Sequence, residues 1–189
     1  MQALVSLQED HRLLLELTDA LEAFAHVLPG AAAVPVADLE AFARAFREFA
    51  DHLHYEKEEH VLMPFLARHG YDWNGELMTH VREQHAQNRY LIDVLHQAAQ
   101  RADGFTPDDH RRLASTARAL VSLQRRLLEL QDIELFPVVS SSITKEALAE
   151  LQARLSDFDY REGRRARKLR LLIRSLARRY GATPATLPS

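Results

Sequence analysis

The chain has 189 residues, 47% of them hydrophobic, with 24 basic and 27 acidic side chains, a formal charge of −3 and no cysteine. Length and composition suit one domain with a sizeable core, and the lack of cysteine removes disulfides, thiolate ligands, iron–sulfur clusters and cysteine nucleophiles together. No apolar run reaches the 18 residues of a membrane helix. Met1-Gln2-Ala3-Leu4 lacks the basic-then-apolar order of a secretory leader, so a cytoplasmic location is expected.

The first segment, about Leu4 to Val27, places Leu4, Leu7, His11, Leu14, Leu15, Thr18 and Leu21 at three- and four-residue steps. That spacing predicts an amphipathic helix with a histidine inside its apolar stripe, stopped at Pro29-Gly30. A second helix is predicted over about 36–68, its buried side supplied by Phe42, Phe46, Phe49, Leu53, Val61 and Phe65. Pro64 falls inside the pattern and predicts a kink or local unwinding; His69-Gly70 closes the helix. A third helix, about 74–100, turns Leu77, Val81, His85, Asn88, Leu91, Ile92 and Leu95 inward and breaks at Asp103-Gly104. Thr106-Pro107-Asp108-Asp109 then reads as an N-cap, a first-position proline and two first-turn acids. The fourth helix runs through Leu113, Leu120, Leu123, Leu127 and Leu130 to Pro137.

After Ser140-Ser141-Ser142 a short fifth helix is expected from Thr144 to about Leu155. The last stretch carries Ala166, Leu169, Ile173, Leu176 and Tyr180 at a 3–4–3–4 spacing, and 182–189 reads as a frayed tail. Between Tyr160 and Tyr180 stand nine cations and one acid, which leaves 15 basic and 26 acidic residues elsewhere, a formal −11. These elements predict an all-α, up-down-up-down four-helix bundle with additional C-terminal helices. The expected division is 1–157 for the bundle and its short fifth helix, and 158–189 for a basic amphipathic helix and tail.

The most informative stretch is His54-Tyr55-Glu56-Lys57-Glu58-Glu59-His60-Val61-Leu62-Met63-Pro64. His54 and Glu58 stand four apart, one above the other on a helix face, and offer a transition metal an imidazole and a carboxylate together. The stretch has an imperfect echo over 127–137. Val61-Leu62-Met63-Pro64 aligns with Glu134-Leu135-Phe136-Pro137 and Glu59 with Asp132, but His54 falls on Leu127 and Glu58 on Gln131. His11, His54, Glu58, His85 and Asp132 all lie on or beside an apolar stripe, and each long helix contributes at least one. Burying such groups unpaired costs about 1–3 kcal/mol each. Inward metal ligands on every helix are the geometry of carboxylate–histidine iron sites.

Glu9-Asp10-His11, His54-x-x-x-Glu58-Glu59-x-Val-Leu-x-Pro64, Glu83-Gln84-His85 and Asp132-x-Glu-Leu-Phe-Pro137 together resemble the hemerythrin-like (HHE cation-binding) family, over about residues 4–155. The resemblance implies a four-helix bundle holding non-haem iron, and a role in binding dioxygen or in sensing and handling iron, oxygen or nitric oxide. Carried over residue by residue, it makes His11 and His54 terminal ligands of one iron and Glu58 and Asp132 the bridging carboxylates. His85 becomes a terminal ligand of the other iron. Two positions depart from the family pattern, Leu127 and Val81 standing where histidines are expected. His80 is displaced around the wheel from His85 and could serve only if the third helix bulged. The expected cofactor is therefore iron in a mononuclear or unequal di-iron site.

The remaining histidines, His26, His52, His60, His69, His96 and His110, read as surface residues. No nucleophile elbow, triad context or glycine-rich loop supports hydrolase or nucleotide chemistry, which points to binding or sensing rather than catalysis. The basic helix has three readings: packing on the acidic bundle, pairing in a homodimer, or docking on nucleic acid or an anionic membrane surface. Every candidate ligand precedes it, so the sequence assigns it no part in metal binding. The competing reading of the whole chain is a metal-free bundle acting as a protein–protein interaction module.

Overall fold

A computed structural model describes residues 4–72, 74–101 and 104–181. Asp103 of the expected break and the expected tail, 182–189, lie outside the described residues. Among those residues there is no strand, and five long helices account for nearly all of the chain. We label them α1 (Val5–Val27), α2 (36–68), α3 (Glu76–Ala99), α4 (107–142) and α5 (Lys145–Tyr180).

The punctuation acts as the sequence predicts. Gly70 follows α2 at φ 86, a left-handed turn that a residue with a Cβ resists. Thr106 accepts a hydrogen bond from the Asp109 backbone while the Asp109 side chain accepts one from the Thr106 backbone, a reciprocal capping box that starts α4. Thr144 caps α5 by accepting from Ala147 N–H.

The two prolines do more than kink. Glu58–Leu62 and Gln131–Leu135 are wide π turns, and each leads into an α segment whose second residue is proline, Met63–Arg68 and Phe136–Ser142. Proline has no N–H to give and its ring presses on the carbonyl four residues back. Widening the turn before it relieves both problems without ending the helix. A longer π segment, Phe46–Tyr55, precedes the first of these and carries His54. The local unwinding expected at Pro64 thus occurs in α2, and an equivalent one before Pro137 carries α4 on to Ser142, past its expected end at that proline.

Around the bundle α1 packs on α4, α4 on α3 and α3 on α2, while α1 and α2 touch little. α5 fills that gap, lying along both. Its expected break near Leu155 is absent, because no proline interrupts 145–180 and Gly163 alone costs about 1 kcal/mol against alanine. Leu169, Ile173 and Leu176 of the basic stretch are buried against the bundle, so its apolar stripe is covered from within the chain. Leu14, Leu17, Leu21, Phe24, Phe42, Phe46 and Phe49 fill the core. Each such side chain contributes about 1.5–3 kcal/mol by leaving water. Against that apolar background, a few buried polar groups gather at one level.

Candidate metal centre

His11 comes from α1, His54 and Glu58 from α2, and all three are sealed from solvent, at 2%, 0% and 0% exposure. One donor atom from each lies within 4.8 Å of the others. Within this group His54 Nε2 stands 3.6 Å from Glu58 Oε1, as the four-residue spacing predicts. His85, also fully buried, approaches Glu58 from the opposite side, with Nε2 3.1 Å from Oε2 but without the alignment of a hydrogen bond. Glu58 therefore holds one oxygen toward His54 and the other toward His85.

The outward nitrogens of these rings meet carboxylates. His11 Nδ1 lies 2.9 Å from Asp132 Oδ1 and His85 Nδ1 2.7 Å from Glu59 Oε1. His54 Nδ1 faces Asp10 Oδ2 at 3.7 Å, beyond hydrogen-bond reach. The supports are themselves held: Glu59 by a two-pronged contact from Arg89 at 2.9 Å, and Asp10 by Lys57 Nζ at 2.6 Å. Carboxylates behind histidines fix ring orientation and raise ligand basicity in metal sites. The His11 ring is further clamped, stacked on Phe136 at 5.0 Å and edge-on to His54 at 4.9 Å.

Four inward atoms, His11 Nε2, His54 Nε2, Glu58 Oε1 and His85 Nε2, are buried without a hydrogen-bond partner. A buried polar atom left unpaired costs about 1–3 kcal/mol, and the first three belong to residues whose donors lie within 4.8 Å of one another, so that one bound group can satisfy all of them. Electrostatics agree for His54 and Glu58. Burial pushes His54 down, against the pull of Glu58 and Asp10, and so keeps a neutral ring with a lone pair to offer. Burial would raise Glu58, but His54, His85 and His11 outweigh it and hold the carboxyl ionised. His85 differs. Burial would lower it, yet Glu58 and Glu59 on either side hold it toward the cation, so a metal would have to displace the Nε2 proton.

Asp132 stands apart from the inward group. Its side chain is 45% exposed and its contact is with the outer nitrogen of His11. Gln131, the echo of Glu58, is the residue that turns inward, fully buried and donating its amide to Glu58 Oε2 at 2.8 Å. The sequence echo points to Gln131 only as a lost carboxylate and does not reveal this bond. Leu127 and Val81 are both fully buried. His80 is exposed on a regular stretch of α3, since the bulges fall in α2 and α4 instead. Beyond Gln131 the polar layer continues: Tyr55 donates to Gln124 Oε1 at 2.6 Å, accepts from Asn88 at 3.0 Å and stacks on His85 at 4.1 Å.

Of the other histidines, His60 and His69 are exposed, as expected, and His52 receives Arg165 at 3.2 Å near the surface. His110 corrects the surface assignment: it is buried and hydrogen-bonded through Nδ1 to the Leu28 carbonyl at 3.1 Å, tying the end of α1 to the start of α4.

Residues 3–139 match the family described as Hemerythrin HHE cation binding domain. The chain belongs to that family. The match covers α1, α2 and α3 and most of α4, and ends before α5. No curated protein and no solved structure matches the chain. As an HHE domain the protein binds a cation, and the His11/His54/Glu58 group is a buried donor set suited to it. Two donors at about 2.1 Å from one ion are at most about 4.2 Å apart, a spacing close to the 4.8 Å within which these three donors already lie.

Proposed function

We propose that the protein is a non-haem iron protein that senses or handles iron, dioxygen or nitric oxide, with one well-furnished metal position and a second that is degraded. The observation that carries this reading is the make-up of the buried group: two histidines and one carboxylate, on two helices, with no thiolate. That is the donor set of non-haem ferrous sites that keep coordination positions open. His11, His54 and Glu58 would hold the ion, Glu58 through Oε1. His85 and the family's bridging position, Asp132, complete the candidate ligands. Bound iron supplies reversible one-electron chemistry and affinity for dioxygen or nitric oxide.

The surrounding residues do the selecting. Asp132 holds His11 with Nε2 inward. Gln131 occupies Glu58 Oε2 with an amide that cannot ligate through its nitrogen, which favours one metal over two. Exposure of 0–2% across the group bars bulky substrates and leaves room only for small ligands. Anaerobic loading with ferrous iron, desalting over chelator and metal counting test the reading. About one iron per chain, with a visible absorption change on adding nitric oxide, is expected. A chain that retains no iron while folded would establish the competing reading of a metal-free interaction module.

A further inference from the structure

The family match stops at residue 139, yet α5 reaches the wall of the centre. Lys57 lies three residues after His54 and is 2% exposed. Its Nζ contacts Asp10 Oδ2 at 2.6 Å, Asp159 Oδ1 at 2.6 Å and Ser6 Oγ at 3.2 Å. The same Asp10 Oδ2 faces His54 Nδ1, while Asp10 Oδ1 faces Arg170 Nη2 at 3.7 Å. Asp159 and Arg170 are eleven residues apart, about three helical turns, and so share one face of α5. Arg170 Nε is buried without a hydrogen-bond partner, although the side chain as a whole is 39% exposed.

We propose that α5 is a working part of the metal centre: Asp159 on Lys57 and Arg170 on Asp10 set where the Asp10 carboxylate stands behind His54, and so tune His54 as a ligand. The inference rests on the reading of His11, His54 and Glu58 as metal ligands. Lys57 Nζ bonds the same oxygen, Asp10 Oδ2, that faces His54 Nδ1 at 3.7 Å. Asp159 shares the Lys57 ammonium with Asp10, and Arg170 places a cation 3.7 Å from the other oxygen. Without either, the Asp10 carboxylate is free to turn from its place behind His54. Losing such a support costs 10–100-fold in metal affinity. Coupling is reciprocal, so metal binding must tighten the docking of α5 by the same factor.

The test uses the full chain and Co(II), whose visible absorption reports the ligand field, with a competing chelator to give Kd. Asp159→Asn and Arg170→Gln should each weaken Co(II) binding about 5- to 10-fold and shift the absorption, while Arg170→Lys restores both. Arg179→Gln breaks a different contact of α5, with Asp38, and should lower Tm without changing Kd. Co(II) should slow hydrogen exchange of the α5 amides around Asp159 and Arg170 in the wild type. Folded variants with wild-type Kd, and α5 exchange indifferent to Co(II), would overturn the inference while leaving the metal reading intact. A wild-type chain that takes up no Co(II) would overturn both.

Discussion

The two sides of Glu58 are built from the same kind of helix turn and have opposite contents. On the Oε1 side stand His11 and His54, each with an unpaired inward nitrogen. On the Oε2 side stand His85, held toward its cation between two carboxylates, and the Gln131 amide, with Leu127 and Val81 buried in the α4 and α3 walls. One side offers lone pairs and the other offers mostly protons. On the proposed reading a metal settles on the first side, while the positive character of His85 and the Gln131 amide oppose one on the second. On that reading an amide can stand where a second metal would, by donating to the one carboxylate oxygen that faces it.

Removing the shared residue should have the largest effect. Glu58→Ala takes the carboxylate from both sides, and metal binding should fall by more than the ~100-fold that an outer support accounts for. Metal counting after chelator challenge reads this directly. Apo stability should fall by about 1–3 kcal/mol, because Gln131 loses its acceptor and His85 a facing carboxylate. The single-histidine variants then separate the sides: His54→Ala should abolish retention, and His85→Ala should leave most of it. Equal losses from the two would break the contrast.

The second prediction restores the poorer side. Leu127→His with Gln131→Glu replaces an apolar wall and an amide donor by an imidazole and a carboxylate. Metal content should rise from about one toward two per chain, and the apo form should lose about 1–3 kcal/mol from the newly buried polar groups. Metal should offset that cost, making Tm more dependent on added iron than in the wild type. If the unaltered chain already holds two ions, the two sides are equivalent and the contrast fails.

Much of this layout was legible from residue spacing. His54 and Glu58 meet because they are four apart on one face, and Pro64 marked a place where a helix widens, whereas Pro137 read as the end of a helix that widens and continues to Ser142. What spacing could not give is direction within the widened turns. Asp132 and Gln131 are neighbours, and a π turn shifts which of them points inward; the structure turns Gln131 to Glu58 and leaves Asp132 on the outer nitrogen of His11. His110 escaped for a different reason, since its partner is a carbonyl 82 residues away. The continuity of α5 was hidden by Gly163 and by the change in charge, neither of which is enough to stop a helix packed along two others.

Asp132→Asn gives the third and smaller effect. In the structure Asp132 touches only the outer side of His11, so an asparagine should keep the ring in place through a neutral contact while lowering its basicity. Co(II) affinity should drop about 10-fold, within the range for such supports. Complete loss would instead mean that Asp132 swings inward and ligates, as the family pattern implies.

The smallest effect on metal is expected at Tyr55, and it is the sharpest check on what the Oε2 side does. Tyr55 stacks on His85 through its ring and ties Gln124 and Asn88 together through its hydroxyl. Tyr55→Phe keeps the ring, so the stacking and the position of His85 should survive. It removes the hydroxyl, so Gln124 Oε1 loses its donor and Asn88 its acceptor inside a buried layer. Each group left unpaired costs about 1–3 kcal/mol, and denaturant unfolding should show a loss of that order. The hydroxyl meets no donor of the His11/His54/Glu58 group, so Co(II) affinity should stay within about twofold, a difference under 1 kcal/mol. A loss of affinity matching the loss of stability would show that the hydroxyl layer shapes the metal position itself, and the two sides of Glu58 would then be one site rather than two.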